Sequence, residues 1–318
     1  MPIESNSVFH VPVLAKEVIS QLEPKSSGCY LDSTVGGGGH ARLILEASSP
    51  DGCLYGIDRD DEAICAATHT LKPYGSRVRL RQGNFRAAQE IYKNSTFDGI
   101  LLDLGVSSHQ LDTPGRGFSC DRDGPLDMRM DRRNTLQAAH LLATLSKTEL
   151  VRVFHDFGET HFSRQIAKAI VTQRAKAPVR TTAELAGIVR KAVPVSRERK
   201  SVVQVFQALR IMVNDELDAF REGLKELFSM LLPGGRMAVI CYHSLEGRIV
   251  KNYFAGLADP CICPPDLPVC GCGRIPQAKV LTSKPVRPSR AEIESNPRSR
   301  SALLRVVEKL DVSKGQSE

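Results

Sequence analysis

The chain of 318 residues contains no uninterrupted apolar run of the roughly 18 residues that a membrane-crossing helix needs. Its first stretch, Met1 to Leu22, lacks the basic start and apolar core of a secretory signal, because Pro2, Glu4, Pro12 and Glu17 interrupt it. The expected compartment is therefore the cytoplasm. In that compartment nine cysteines, an odd number, argue against a disulfide scaffold and for thiols or metal ligands. No internal repeat occurs. The balance of a disordered chain is also missing: 42% hydrophobic and 25% charged residues are ordinary for a globular protein. Length alone permits one large domain or two.

Acids are scarce in one place. From Arg164 to Lys200 there are ten basic residues and two acids, a local charge of +8 in a chain whose total is +7. The remainder is close to neutral, so the basic character belongs to one segment. Such a concentration fits a polyanion partner, the alternative being a solvated helical surface. A second basic stretch, Lys279 to Arg305, holds seven basic residues against two acids.

The first hundred residues alternate strand and helix signals. Cys29–Asp32, Cys53–Asp58, Val78–Leu80 and Phe97–Leu104 read as strands, with helices at Gly39–Ala47 and Asp60–Leu71. This spacing predicts an α/β fold with a mainly parallel sheet covered on both faces. The alternation then stops. A Gly-, Asp- and Arg-rich stretch, Leu111–Asp131, precedes helical patterns that include Ala183–Val193, with Thr181 or Thr182 as cap. Phe206, Leu209, Val213, Leu217, Phe220, Leu224, Leu227 and Leu231 form one apolar stripe, which predicts a single long helix ended by Pro233-Gly234-Gly235. Arg236–Cys241 reads as the fifth strand, Leu245–Leu257 as a helix, Asp259–Pro276 as irregular and Ser301–Lys309 as a last strand. The predicted organisation is a sheet domain from 1–110 and 213–318, with a helical, basic insertion at 111–212.

Gly36-Gly37-Gly38-Gly39 follows a strand and opens a helix, where glycine lets the backbone approach a ligand and the helix end offers free N–H groups. Asp58, closing the next strand, suits the two hydroxyls of a ribose. The pattern Gly36-x-Gly38-x-x-Ala41 also fits a nicotinamide dinucleotide site. Three features favour S-adenosylmethionine instead. Asp32, just before the glycine loop, would attract an ammonium and repel a pyrophosphate. Asp103-Leu104-Gly105 ends the fourth strand, and a Pro-Gly-Gly turn precedes the fifth.

Taken together, these blocks resemble the RsmH (formerly MraW) family, class I methyltransferases that modify a cytidine of small-subunit ribosomal RNA. The resemblance runs from His10-Val11-Pro12-Val13-Leu14 to Asn296–Ser301. It is carried by Gly38-Gly39-His40, Gly56–Asp60, Asp98–Ser108, Arg116–Ser119, Asp123–Asp131, Phe206–Arg210 and His243–Arg248. It implies a Rossmann-like domain with a helical insertion. It also implies that S-adenosylmethionine is held by Gly38, Gly39 and His40, with Asp58 on the ribose, Phe85 against the adenine, and Asp103 and Gln110 near the methionine end. Read alone, Phe85 is a core residue and His40 a capping or surface histidine.

The implied reaction is methylation of cytidine N4, a poor nucleophile that must be aligned with the methyl–sulfur bond. The Asn/Asp-Pro-Pro-aromatic motif of many amino-methyltransferases is absent. Ser107, Ser108 and His243 are the candidate catalytic residues, and no general base is assigned. Arg174, Lys176, Arg190 and Lys191 are the candidate contacts to 16S ribosomal RNA, expected within an assembled small subunit; the resemblance allows a homodimer. The other readings are a nicotinamide-dependent oxidoreductase and an RNA-binding assembly factor without turnover. The reaction needs no metal. Cys261-x-Cys263 and Cys270-x-Cys272 can hold a structural zinc or remain thiols.

Overall fold

The computed structural model describes residues 12–264 and 271–312. His10, Val11 and Cys270, singled out above, lie outside them. Contacts divide the chain into two units, one made of residues up to Gly105 and from Ala219 on, the other of Val106–Asp218. The divisions expected from sequence fall at 110/111 and 212/213.

The first unit begins with α1 (Ala15–Leu22), β1 (Cys29–Asp32), α2 (Gly39–Ala47), β2 (Cys53–Asp58), α3 (Asp61–Leu71), β3 (Val78–Gln82), α4 (Ala88–Ile91) and β4 (Phe97–Asp103). The second unit carries α5 (Ser108–Asp112), α6 (Ala138–Thr144), α7 (Lys147–Asp156), α8 (Ser163–Arg174), α9 (Thr182–Ala192) and α10 (Glu198–Asn214). The chain returns through α11 (Glu216–Ser229), β5 (Leu231–Cys241), α12 (Ser244–Ala258), β6 (Ala278–Val280), α13 (Arg290–Ser295) and β7 (Leu303–Lys309).

The strands form one sheet in the order β3-β2-β1-β4-β5-β7-β6. β1 to β5 are parallel, and β7 runs antiparallel to both β5 and β6. Side chains alternate across the sheet. On β4, Ile100 and Leu102 pack with Phe220 and Leu224 of α11 and with Val250 and Phe254 of α12. Leu101 points the other way, with Val18, Leu22, Ile44 and Ala67 of α1, α2 and α3. Both faces are therefore covered, as a parallel sheet requires. The chain order places β1 between β2 and β4, so the loops after β1 and β4 open on one crevice, where ligands bind in open α/β sheets.

The second unit has its own core, including Leu142, Phe154, Ile166, Ile170, Leu185, Val189, Val205 and Leu209. Thr181 starts α9 through a capping box with Glu184. The glycine- and arginine-rich blocks are tied down by charge. Arg116, 2% exposed, donates to the carbonyls of Arg129 and Met130. Arg129 forks onto both carboxylate oxygens of Asp127, at 2.6 and 2.8 Å.

The single long helix expected from the apolar stripe does not form. Asp215, with φ of +50°, breaks it into α10 and α11, a left-handed position that Asp tolerates better than most residues. Asn214 beside it accepts the Met130 N–H and donates to the Met128 carbonyl, so the break is held by specific bonds. Pro-Gly-Gly does not end the helix either. α11 stops at Ser229, and Pro233–Gly235 forms a register shift inside β5 opposite Phe97 and Gly99.

Candidate active site

Three acids end three neighbouring strands. Asp32 closes β1, is 1% exposed, and accepts the Thr34 N–H. Burial pushes its pKa up to about 8, Asp103 and Asp58 adding to the rise and the Thr34 N–H opposing it. Asp58 closes β2. Its Oδ2 accepts the Gly36 N–H and its Oδ1 the Asp60 N–H, both at 2.9 Å. Burial raises it to about 6 against those two bonds. Asp103 closes β4, and burial raises it to about 7. Crowded acids of this kind favour a bound cation and disfavour a pyrophosphate.

The loop after β1 is built from these same groups. Val35 N–H donates to Ile57 O, Ser33 N–H to Leu101 O, and Thr34 Oγ1 accepts the Asp103 N–H at 2.6 Å. Gly36 sits at φ +50°, and a Cβ there would meet only the Thr34 carbonyl oxygen, at 3.9 Å. Gly38 sits at φ +84° and packs closely on Ala67, Thr70 and Leu71 of α3. The left-handed backbone favours glycine at both, and close packing on α3 adds to that at Gly38.

His40, 6% exposed, lies in the first turn of α2 with Nε2 3.6 Å from Asp103 Oδ2. It is neither a surface residue nor the helix cap. Phe85 follows β3 and is 7% exposed, within the core cluster beneath the sheet. A Cβ on Gly223 would collide with its ring, so α11 covers one face of it.

Tyr242 was missed from sequence. Its hydroxyl donates to Asp103 Oδ1 at 2.8 Å, and burial beside that acid raises its pKa well above the usual phenol value. Its N–H donates to Glu246 Oε2 at 2.8 Å. The available signal was its position one residue past the fifth strand, beside the end of the fourth. Gly105, at φ +99°, leaves room for the Tyr242 ring.

The catalytic candidates fall differently. His243 is the N-cap of α12, its Nε2 3.0 Å from Glu246 Oε1, with Glu246 3% exposed. Ser107 caps α5 by accepting the Gln110 N–H, while Gln110 Oε1 accepts the Ser107 N–H, both at 3.1 Å. Gln110 is buried within the second unit, where Ser108 is half-buried. All three polar groups thus have helix-capping duties or neighbours that do.

Among the basic candidates, Lys176, Arg190 and Lys191 are exposed, as are Arg197, Arg199 and Lys200. Arg174 is not equivalent. Its guanidinium donates to the carbonyls of Leu142 and Leu145 at 2.5 and 2.7 Å, closing the end of α6. These bonds give it a part in the fold of the second unit. Arg174→Ala should lower thermal stability by about 1–3 kcal/mol through two orphaned carbonyls, measurable by denaturant unfolding.

The sequence profile of the MraW methylase family matches residues 7–310. The ribosomal RNA small subunit methyltransferase H of Syntrophotalea carbinolica is 52% identical over 307 residues, covering 95% of this chain and 98% of that protein. The protein of the same name from Symbiobacterium thermophilum is 50% identical over 307 residues, covering 95% and 96%.

Proposed function

The chain belongs to the MraW methylase family, and from that membership we propose that it methylates N4 of a cytidine in 16S ribosomal RNA, with S-adenosylmethionine as methyl donor. The observation that carries the reading is the trio Asp32, Asp58 and Asp103 around an open glycine loop. The residues fit this cofactor, which supplies a methyl group on a cationic sulfur and carries an ammonium. The same acids argue against the nicotinamide reading, because a pyrophosphate would meet them.

In this reading Asp58 uses its remaining lone pairs on the ribose hydroxyls, while Gly36 and Asp60 N–H groups fix its orientation. Asp32 and Asp103 face the cationic end. Tyr242 fixes the Asp103 carboxylate from one side and His40 flanks it on the other. Gly38 and Gly39 shape the turn. Phe85 stands against the adenine. Gln110 completes a capping box with Ser107 through its Oε1.

A cationic ligand favours ionised carboxylates. Cofactor affinity should therefore rise as pH increases from about 6 to about 8, with protons released on binding. Calorimetry in buffers of different ionisation heat measures both, and a flat affinity across that range would contradict the assignment. The stability of the cofactor-free protein has the opposite sign. An acid whose folded pKa lies above its unfolded value, about 4, costs stability as pH rises from that unfolded value to the folded one. Asp32→Asn should thus stabilise the cofactor-free protein at pH 8 by about 0.5–2 kcal/mol while weakening cofactor binding.

The amino nitrogen needs alignment and no covalent intermediate. Once methylated it holds a surplus proton, which it loses to water because its lone pair returns to the ring; no general base is assigned. Methylation at C5 would instead need a thiolate. Cys241 is fully buried with its thiol pushed well up by burial, and Cys120 is raised by burial and by Asp121. Replacing both by Ser should leave appreciable methyl transfer. Chromatography of the digested RNA should yield N4-methylcytidine; a C5 product would overturn the mechanism.

The exposed Lys176, Arg190 and Lys191, with Arg197, Arg199 and Lys200, supply the phosphate-binding surface in this reading. Sequence choice then rests on the folded RNA and on a base turned out of its stack, which suits an assembled small subunit in the cytoplasm. No helix among the described residues is long and apolar enough to cross a membrane.

A further inference from the structure

The segment between the end of α12 at Ala258 and the start of β6 at Ala278 holds Cys261, Cys263, Cys270 and Cys272. Among the described residues, the sulfurs of Cys261, Cys263 and Cys272 all lie within 4.8 Å of one another. Those of Cys261 and Cys272 are 3.9 Å apart. Sulfurs held tetrahedrally at about 2.3 Å from a zinc ion stand about 3.8 Å apart along each edge. The thiols are thus gathered at the spacing of a metal–thiolate shell, across eleven residues of chain.

Apolar burial does not explain that gathering. Among the described residues beside the cysteines, the large apolar Ile262 and Ile275 are 65% and 46% exposed. The described residues 259–264 and 271–277 form no helix or strand. The segment is tied at its ends, where Asp259 N–H donates to Ala255 O and Gln277 N–H to Leu257 O, both at 2.8 Å. Gly273, at φ +62°, turns the chain directly after Cys272. The described stretches, with neither regular structure nor apolar cover, need a cross-link to stay in one shape.

We propose that Cys261, Cys263 and Cys272 bind a zinc ion that staples this loop. The role is structural. β6 is the edge strand, with β7 and β5 between it and β4, so the loop starts and ends away from the strand ends that carry Asp32, Asp58 and Asp103. Soft thiolates select zinc over the hard cations that carboxylates prefer. Binding deprotonates the thiols, so zinc uptake releases protons and weakens as pH falls.

The test uses the full chain, purified under reducing conditions without chelator. Elemental analysis should find about one zinc per chain, released when a mercurial blocks the thiols. Replacement by cobalt(II) should give thiolate-to-metal charge-transfer absorption. Cys261→Ser and Cys272→Ser should each lower zinc affinity by at least roughly tenfold, whereas Cys65→Ser, at an exposed thiol outside the cluster, should not. A measurement independent of the variants' folding treats wild type with chelator: the loop should become cleavable by protease while S-adenosylmethionine still binds. Protein that takes up neither added zinc nor cobalt(II), or mass spectrometry finding Cys261 and Cys272 joined as a disulfide, would overturn the proposal.

Discussion

Asp58→Ala should weaken S-adenosylmethionine binding roughly 10- to 150-fold, about 1.5–3 kcal/mol, the range for hydrogen bonds to a charged group. RNA binding should stay near wild type, because Asp58 belongs to the unit that carries the sheet and the basic surface to the other. The carboxylate has a second duty: it anchors the Gly36 N–H, so its removal also loosens the loop. Asp58→Asn separates the two effects. The amide oxygen can still accept the Gly36 N–H, so the glycine loop should hold, while the amide nitrogen becomes a donor, giving up the Asp60 N–H and the pair of acceptors for the ribose. Calorimetry of both variants gives the comparison. Wild-type affinity in Asp58→Ala would remove Asp58 from the site.

Reversing Lys176, Arg190 and Lys191 to Glu should abolish methylation of ribosomal RNA and leave cofactor affinity unchanged. Three phosphate contacts replaced by three repulsions change the charge of that surface by six. Wild-type RNA binding should fall steeply with salt as counterions are released, and the variant's residual binding should be much less salt-dependent. Arg174 is excluded from this set because its guanidinium closes α6. An active triple variant would leave the basic segment as a solvated surface with no part in RNA binding.

The sheet was legible because its signals are local. Short apolar runs ending in acids mark strands, and the glycine run marks the first crossover. The placement of Asp32, Asp58 and Asp103 at strand ends followed from the same pattern, since each stands where a run stops. What could not be read was set by contacts distant in sequence. The stripe from Phe206 to Leu231 keeps helical spacing across Asp215, so apolar pattern alone cannot reveal a break that Asn214 secures through Met128 and Met130. Tyr242 gains meaning only when β5 pairs with β4 and brings its hydroxyl to Asp103. Arg174 has the composition of an RNA contact and the geometry of a helix cap, a difference that charge counting cannot detect.

The most direct test of the proposed activity is nucleoside analysis of small-subunit ribosomal RNA from a strain lacking this protein, before and after its gene is restored. The account predicts that restoration adds one N4-methylated cytidine and leaves C5-methylcytidine unchanged, and that the Asp58→Ala gene adds far less. Identical nucleosides with and without the protein, or a gain at C5, would contradict it.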